Sequence, residues 1–135
     1  MSGLGLERLA RESGLRTPDG EPPNARELAT MAREGDAGAL QVWSTFADGL
    51  ARGIGVVISL LNPQAVIITG RIGQSADLYL EDVKAQLARY SLPAMTEGTQ
   101  ILVSELRENA GPLGTCACVM QHIFSASHIP IESIV

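Results

Sequence analysis

Apolar residues recur three and four apart through much of this chain, and the interruptions in that rhythm mark out its elements. Leu4, Leu6, Leu9 and Ala10 predict a short helix from Gly3 to Ser13. Thr17 to Asn24 holds three prolines and a glycine, which makes it a loop. Asn24 is placed to cap a helix from Ala25 to Arg33, with Glu27 at the third helical position completing a capping box. Gly35 ends that helix and Asp36 caps the next. The third helix has the strongest signal. Leu40, Trp43, Ala47, Leu50, Ile54, Val57 and Leu61 form one side, while Gln41, Ser44, Asp48, Arg52 and Ser59 form the other. Its second half, GIGVVISLL, is apolar nearly all round, so it is expected to be buried on more than one face. Gly53 and Gly55 each cost roughly 1 kcal/mol of helix propensity against alanine, which predicts a neighbour passing close by. Charges beside the seam are absent, so this is a globular core helix, usable also at a subunit interface, rather than a coiled coil.

Asn62-Pro63 stops the helix, and the β-branched run from Ala65 to Thr69 predicts a strand buried on both faces, hence parallel. Ser75 is read as the cap of a helix reaching Tyr90, with Ala76, Tyr79, Leu80, Val83, Leu87 and Tyr90 on its apolar side. Pro93 and Gly98 bracket a loop, Ile101 to Ser104 is a second strand, and strand, helix, strand implies a right-handed βαβ unit. A last helix runs from Gly111 to Ser125. The tail from His128 alternates weakly through Ile129, Ile131 and Ile134, as a third strand or an arm would.

Length and charge narrow the picture. With 135 residues, the chain is expected to be a single domain, residues 1–135, burying roughly two thirds of its unfolded surface. A net charge of −5 with no lysine or arginine run argues against a nucleic-acid or anionic-membrane surface. The longest apolar window, Ile54 to Leu61, is too short to span a bilayer, and the N-terminus lacks a signal pattern. Cys116 and Cys118, two apart on a helix, suit neither a disulfide nor a metal site. They read as small buried apolar residues of a cytoplasmic protein, with no metal expected in this chain.

Three segments then carry a specific likeness. AREGDAGAL, GLARGIGVVISLLNPQAVIITGRIG and ENAGPLGTCA, in that order and spacing, resemble the C-terminal part of the ROK family. That family holds bacterial ATP-dependent sugar kinases, glucokinases among them, and sugar-responsive transcriptional repressors. Leu61-Asn62-Pro63 matches the family's L-N-P helix end. Thr69-Gly70-Arg71 occupies its triple-glycine turn, and Ala110 to Gly114 occupies its last glycine motif. The resemblance implies a helix-rich α/β fold with a small parallel sheet, part of the second lobe of an actin-like, hexokinase-like (RNase H-like) ATPase. It also implies that the phosphate loop, catalytic Asp, sugar-contacting residues and zinc-binding cysteines of such proteins correspond to sequence before Met1. Sugar and ATP would then be bound only together with that N-terminal half. The expected self-contact is a homodimer or higher oligomer.

The residues themselves offer one ligand contact and no catalyst. In the kinases that this chain resembles, the turn of Thr69, Gly70 and Arg71 lies beside the adenosine of ATP. Here Thr69 and Arg71 replace two glycines and add bulk, so ATP binding by this chain alone is expected to be weak or absent. Arg71 either meets a phosphate or is a solvated side chain. Glu81 and Asp82 are expected to face water, Asp36 to cap a helix, and Glu105 and Glu108 to flank the exit of the second strand. His122 reads as a partly buried or surface histidine. No nucleophile, base and orienting group come together in this pattern, so no catalytic residue is assigned.

Overall fold

The computed structural model describes residues 3–106 and 109–126. Its elements are α1 (Gly3–Glu12), α2 (Ala25–Arg33), α3 (Ala37–Leu61), β1 (Ala65–Ile68), a 3-10 helix (Arg71–Leu78), α4 (Leu80–Leu87), the single turn α5 (Pro93–Thr96), β2 (Gln100–Val103) and α6 (Ala110–Ala126). The chain is therefore a helix-rich α/β protein with a small sheet, as the sequence implies. The helix starts follow the sequence closely. Asn24 accepts from the amides of Arg26 and Glu27 while Glu27 reaches back to the Asn24 amide, a complete capping box. Asp36 accepts from the Ala39 amide at 2.8 Å. Asn62 ends α3 in the left-handed region at φ 42°, a conformation that asparagine tolerates, and Pro63 then prevents continuation.

α3 is the spine, with α1, α2 and α4 packed along it. Its buried side is Ala39, Val42, Trp43, Phe46, Ala47, Ala51, Ile54, Gly55 and Ile58. This corrects the face predicted from spacing, because Leu40, Val57 and Leu61 are exposed. The all-round apolar C-terminal half gives several three-four series of equal quality, and packing selects the one through Ile54 and Ile58. The two glycines separate for a physical reason. A Cβ on Gly55 would lie 2.7 Å from Tyr90 Cβ and 2.8 Å from the Tyr90 carbonyl oxygen, whereas one on Gly53 would meet nothing within 4 Å. The predicted close approach is thus real at Gly55 and absent at Gly53. Gly55→Ala is expected to lose about 1–3 kcal/mol through overpacking against backbone, and Gly53→Ala, its matched control, is expected to lose none. Urea denaturation of the two variants measures the difference.

By length and composition alone, α3 is long and apolar enough to cross a membrane, which the shorter window from Ile54 to Leu61 is not. Core helices meet the same test, and the buried residues of α3 line the core.

β1 and β2 pair in parallel, with Ala65 opposite Gln100, Val66 opposite Ile101, Ile67 opposite Leu102 and Ile68 opposite Val103. Thr99 Oγ1 donates to the Pro63 carbonyl at the start of the pair, and the Ser104 amide donates to the Ile68 carbonyl at its end. The expectation of a strand buried on both faces is not met. Val66, Ile68 and Ile101 pack toward the core, while Ile67 is 61% exposed and Leu102 44% exposed on the opposite face. Only one side of this sheet is covered by helices among the described residues.

The predicted helix from Ser75 to Tyr90 is two elements. Ser75 lies inside the 3-10 helix at φ −115°, ψ 24°, and α4 begins only after Tyr79, whose φ of −142° breaks the winding. The predicted loop after Pro93 contains α5. In α6 every residue from 111 to 124 is exposed. Cys116 and Cys118 are accordingly exposed free thiols, which corrects their predicted burial. Glu108 and the tail from His128 to Val135 lie outside the described residues.

Candidate functional site

The turn that follows β1 is the ligand contact expected from the sequence, and its backbone is unusual. Gly70 adopts φ 81°, ψ −168°, a region open essentially to glycine alone. The 3-10 helix starts immediately after it, and the Gly73 amide donates back to the Gly70 carbonyl at 3.1 Å. Behind the turn, a Cβ on Gly73 would sit 3.3 Å from Val103 Cγ1, so β2 backs it closely. Nothing lies within 4 Å of a Cβ position on Gly70. The turn thus brings Thr69, Gly70 and Arg71 together at the carboxyl end of two parallel strands, where open α/β sheets receive ligands. Thr69 and Arg71 are exposed, and Arg71 forms no ion pair among the described residues.

Two contacts that sequence reasoning missed fasten this turn to the helices. Arg33 on α2 donates from Nε and from a terminal guanidinium nitrogen to the two carboxylate oxygens of Asp77, each at 2.9 Å. That bidentate pair holds the Asp77 carboxyl below the usual carboxylate range. The second is Tyr79, buried in the core, whose hydroxyl donates to the Ile72 carbonyl at 3.2 Å. Its phenol is pushed up to about 12, first by burial and then by the nearby charge of Asp77. The Tyr79 ring stacks parallel to Trp43 at 5.8 Å and meets Phe46 edge-on at 5.5 Å. A signal for Tyr79 was present, since a tyrosine among apolar positions needs a partner for its hydroxyl. Nothing local in the sequence pairs Arg33 with Asp77, which lie 44 residues apart.

Among the described residues, the other carboxylate candidates and the histidine are exposed side chains. Glu81 and Asp82 are exposed at the start of α4, with Glu81 paired to Lys84 at 2.7 Å. Glu105 and His122 are exposed. No group of three or more histidines, cysteines or acids able to hold a metal occurs among the described residues. A shallow groove of about 220 Å³ lies elsewhere, lined by Lys84, Leu87, Ala88, Thr96, Thr99 and Ile101. The hydroxyls of Thr96 and Thr99 are already donated to backbone carbonyls, so the groove offers little to recognise a ligand.

The model of the ROK family matches residues 1–122. A glucokinase from Thermotoga maritima is 30% identical over 103 residues, covering 76% of this chain and 32% of that protein. The xylose repressor of Bacillus spizizenii is 26% identical over 97 residues, covering 72% of this chain and 25% of the repressor. Among solved structures, a ROK family glucokinase from Streptomyces griseus, in complex with glucose and AMPPNP, superposes with a TM-score of 0.70. It is 25% identical, and the match covers 82% of this chain and 39% of that one. The chain spans about a third or less of the length of these curated relatives. With most of its residues matched in order, and kinases and a repressor alike among its relatives, the chain belongs to the ROK family.

Proposed function

We propose that this chain is the later portion of the second, actin-like lobe of a glucokinase-like ROK sugar kinase, and that it supplies the adenosine side of a nucleotide cleft. The observation that carries this reading is Gly70. Its glycine-only backbone stands at the carboxyl end of the parallel strands, in a fold shared with a glucokinase crystallised with an ATP analogue. The chain contributes positioning rather than chemistry. Phosphoryl transfer needs phosphate donors, Mg²⁺ and a base around the reacting oxygens. The chain spans about a third or less of the length of its curated relatives, and in this reading the remainder of such a protein supplies those parts, so ATP and sugar are bound productively only together with it. The exposed apolar side of α3 supplies contacts between copies.

A second reading is favoured by Thr69 and Arg71 standing where kinases of the family carry glycine, and by the likeness to a xylose repressor. In that reading the chain is the effector-binding and dimerisation region of a ROK transcriptional regulator, or a stand-alone oligomerisation module.

Calorimetric titration with AMPPNP separates the two. The unaltered chain is expected to bind weakly, with a dissociation constant above about 1 mM, because a small-molecule site normally encloses most of its ligand. Thr69→Gly combined with Arg71→Gly removes the added bulk and is expected to tighten binding at least fivefold. Unchanged affinity in that variant defeats the nucleotide reading. In a coupled assay with ATP and glucose the chain alone is expected to show no turnover, and a rate near 1 s⁻¹, ordinary for an enzyme, would overturn the division of labour proposed here.

A further inference from the structure

We propose that Tyr79 is the positioning residue of the Thr69–Gly73 turn, setting from inside the core the direction in which the turn's backbone faces its ligand. The inference rests on the reading of that turn as the nucleotide side of a cleft.

One peptide plane carries the argument. The Ile72 carbonyl and the Gly73 amide belong to the same rigid unit. Its oxygen accepts from the Tyr79 hydroxyl at 3.2 Å, and its N–H donates to the Gly70 carbonyl at 3.1 Å. The plane is thus held at both ends, by the core on one side and by the turn on the other. Rotating it would release the Gly70 carbonyl and leave a buried phenol unpaired, a costly state for a hydroxyl without water.

The turn has little resistance of its own. Gly70 is conformationally permissive, with open space where its Cβ would be. Ser75 interrupts the helical winding between Ile72 and Tyr79. Tyr79, in contrast, cannot swing. Its ring is stacked on Trp43 within 5° of parallel and abuts Phe46 at 73°. The fixed element therefore sets the soft one: the Ile72 side chain packs against the same core, and the Tyr79 hydroxyl is what fixes the orientation of the peptide plane that follows it.

Tyr79→Phe removes that hydroxyl and keeps the ring. Amide exchange followed by NMR is the deciding readout. The Gly73 amide is expected to exchange about tenfold faster, the loss of one hydrogen bond, while α3 amides and the emission of Trp43 stay as they were. An unchanged Gly73 rate overturns the proposal, and so does an equal loss of protection through α3 and α4, which would make Tyr79 a core residue only. Should the variant fail to fold, fluorotyrosine incorporated into the unaltered sequence serves instead. Its more acidic phenol is a stronger donor and is expected to slow Gly73 exchange, and no slowing counts against the proposal. The nucleotide reading is judged separately. In the Thr69→Gly, Arg71→Gly background, adding Tyr79→Phe is expected to weaken AMPPNP binding several-fold. Faster Gly73 exchange in a protein that never binds AMPPNP would sustain the positioning role and reject the nucleotide.

Discussion

Trp43→Ala is expected to destabilise the protein by about 3–5 kcal/mol, enough to leave much of it unfolded, since domains of this kind have only about 5–15 kcal/mol in hand. Trp43 is the largest fully buried side chain, 1% exposed, and it joins α3 to the start of α4 by stacking on Tyr79 and meeting Phe46 edge-on at 5.7 Å. Removing it opens a cavity between α3 and the start of α4, and close-packed interiors relax only partly into such space. Trp43→Phe should behave differently. The indole nitrogen is buried without a hydrogen-bond partner, so the smaller ring loses volume but also removes an unsatisfied donor. Its expected cost is about 1–2 kcal/mol. Because Trp43 is the sole tryptophan, urea unfolding is followed by circular dichroism rather than emission. A loss below about 1 kcal/mol for Trp43→Ala would mean that the aromatic cluster does not hold the core together.

How much of this was legible in the sequence depends on whether the determinant is local. Caps and stops were, because Asn24, Glu27, Asp36 and Asn62-Pro63 act on backbone within a few residues of themselves. The parallel pairing of two short β-branched runs was also readable. The buried face of α3 was not, because an all-round apolar helix permits several faces and only tertiary neighbours choose among them. The break at Tyr79 escaped for a related reason. Ala76, Tyr79, Leu80 and Val83 have ordinary helical spacing, while the contacts accompanying the change of winding, Tyr79 to Ile72 and Asp77 to Arg33, depend on where α2 and α3 lie. At the candidate site, Gly70 was found from its place after a strand, but what holds the turn was found only in three dimensions. The thiols show the opposite error: apolar character predicted burial for Cys116 and Cys118, and their helix is exposed.

The proposed pairing of copies gives the second large effect. Toward its C-terminal end, α3 leaves Val56, Val57, Leu60 and Leu61 exposed, with Leu60 77% and Leu61 72% exposed, and no charged residue lies between Gly53 and Leu61. A row of this kind on a monomer exceeds the scattered apolar residues that surfaces normally carry. A twofold arrangement is the simplest way for one protein to cover such a row, because the same patch serves both partners. Light scattering at micromolar concentration is therefore expected to give about twice the protomer mass of 14.3 kDa, or more. Val57→Asp places a charge in the middle of that row, where pairing would have to desolvate it, and is expected to shift the protein to monomer, weakening association at least a hundredfold. Circular dichroism should stay unchanged, because Val57 lies off the core side of α3 and the protomer does not need it to fold. A protein that is monomeric from the start removes the pairing. The tail from Ile129 to Val135 is the other segment expected at the contact, so a dimer that withstands both Val57→Asp and deletion of that tail keeps the pairing but moves it away from both, and the bare sheet face of Ile67 and Leu102 would then be the surface to mutate next.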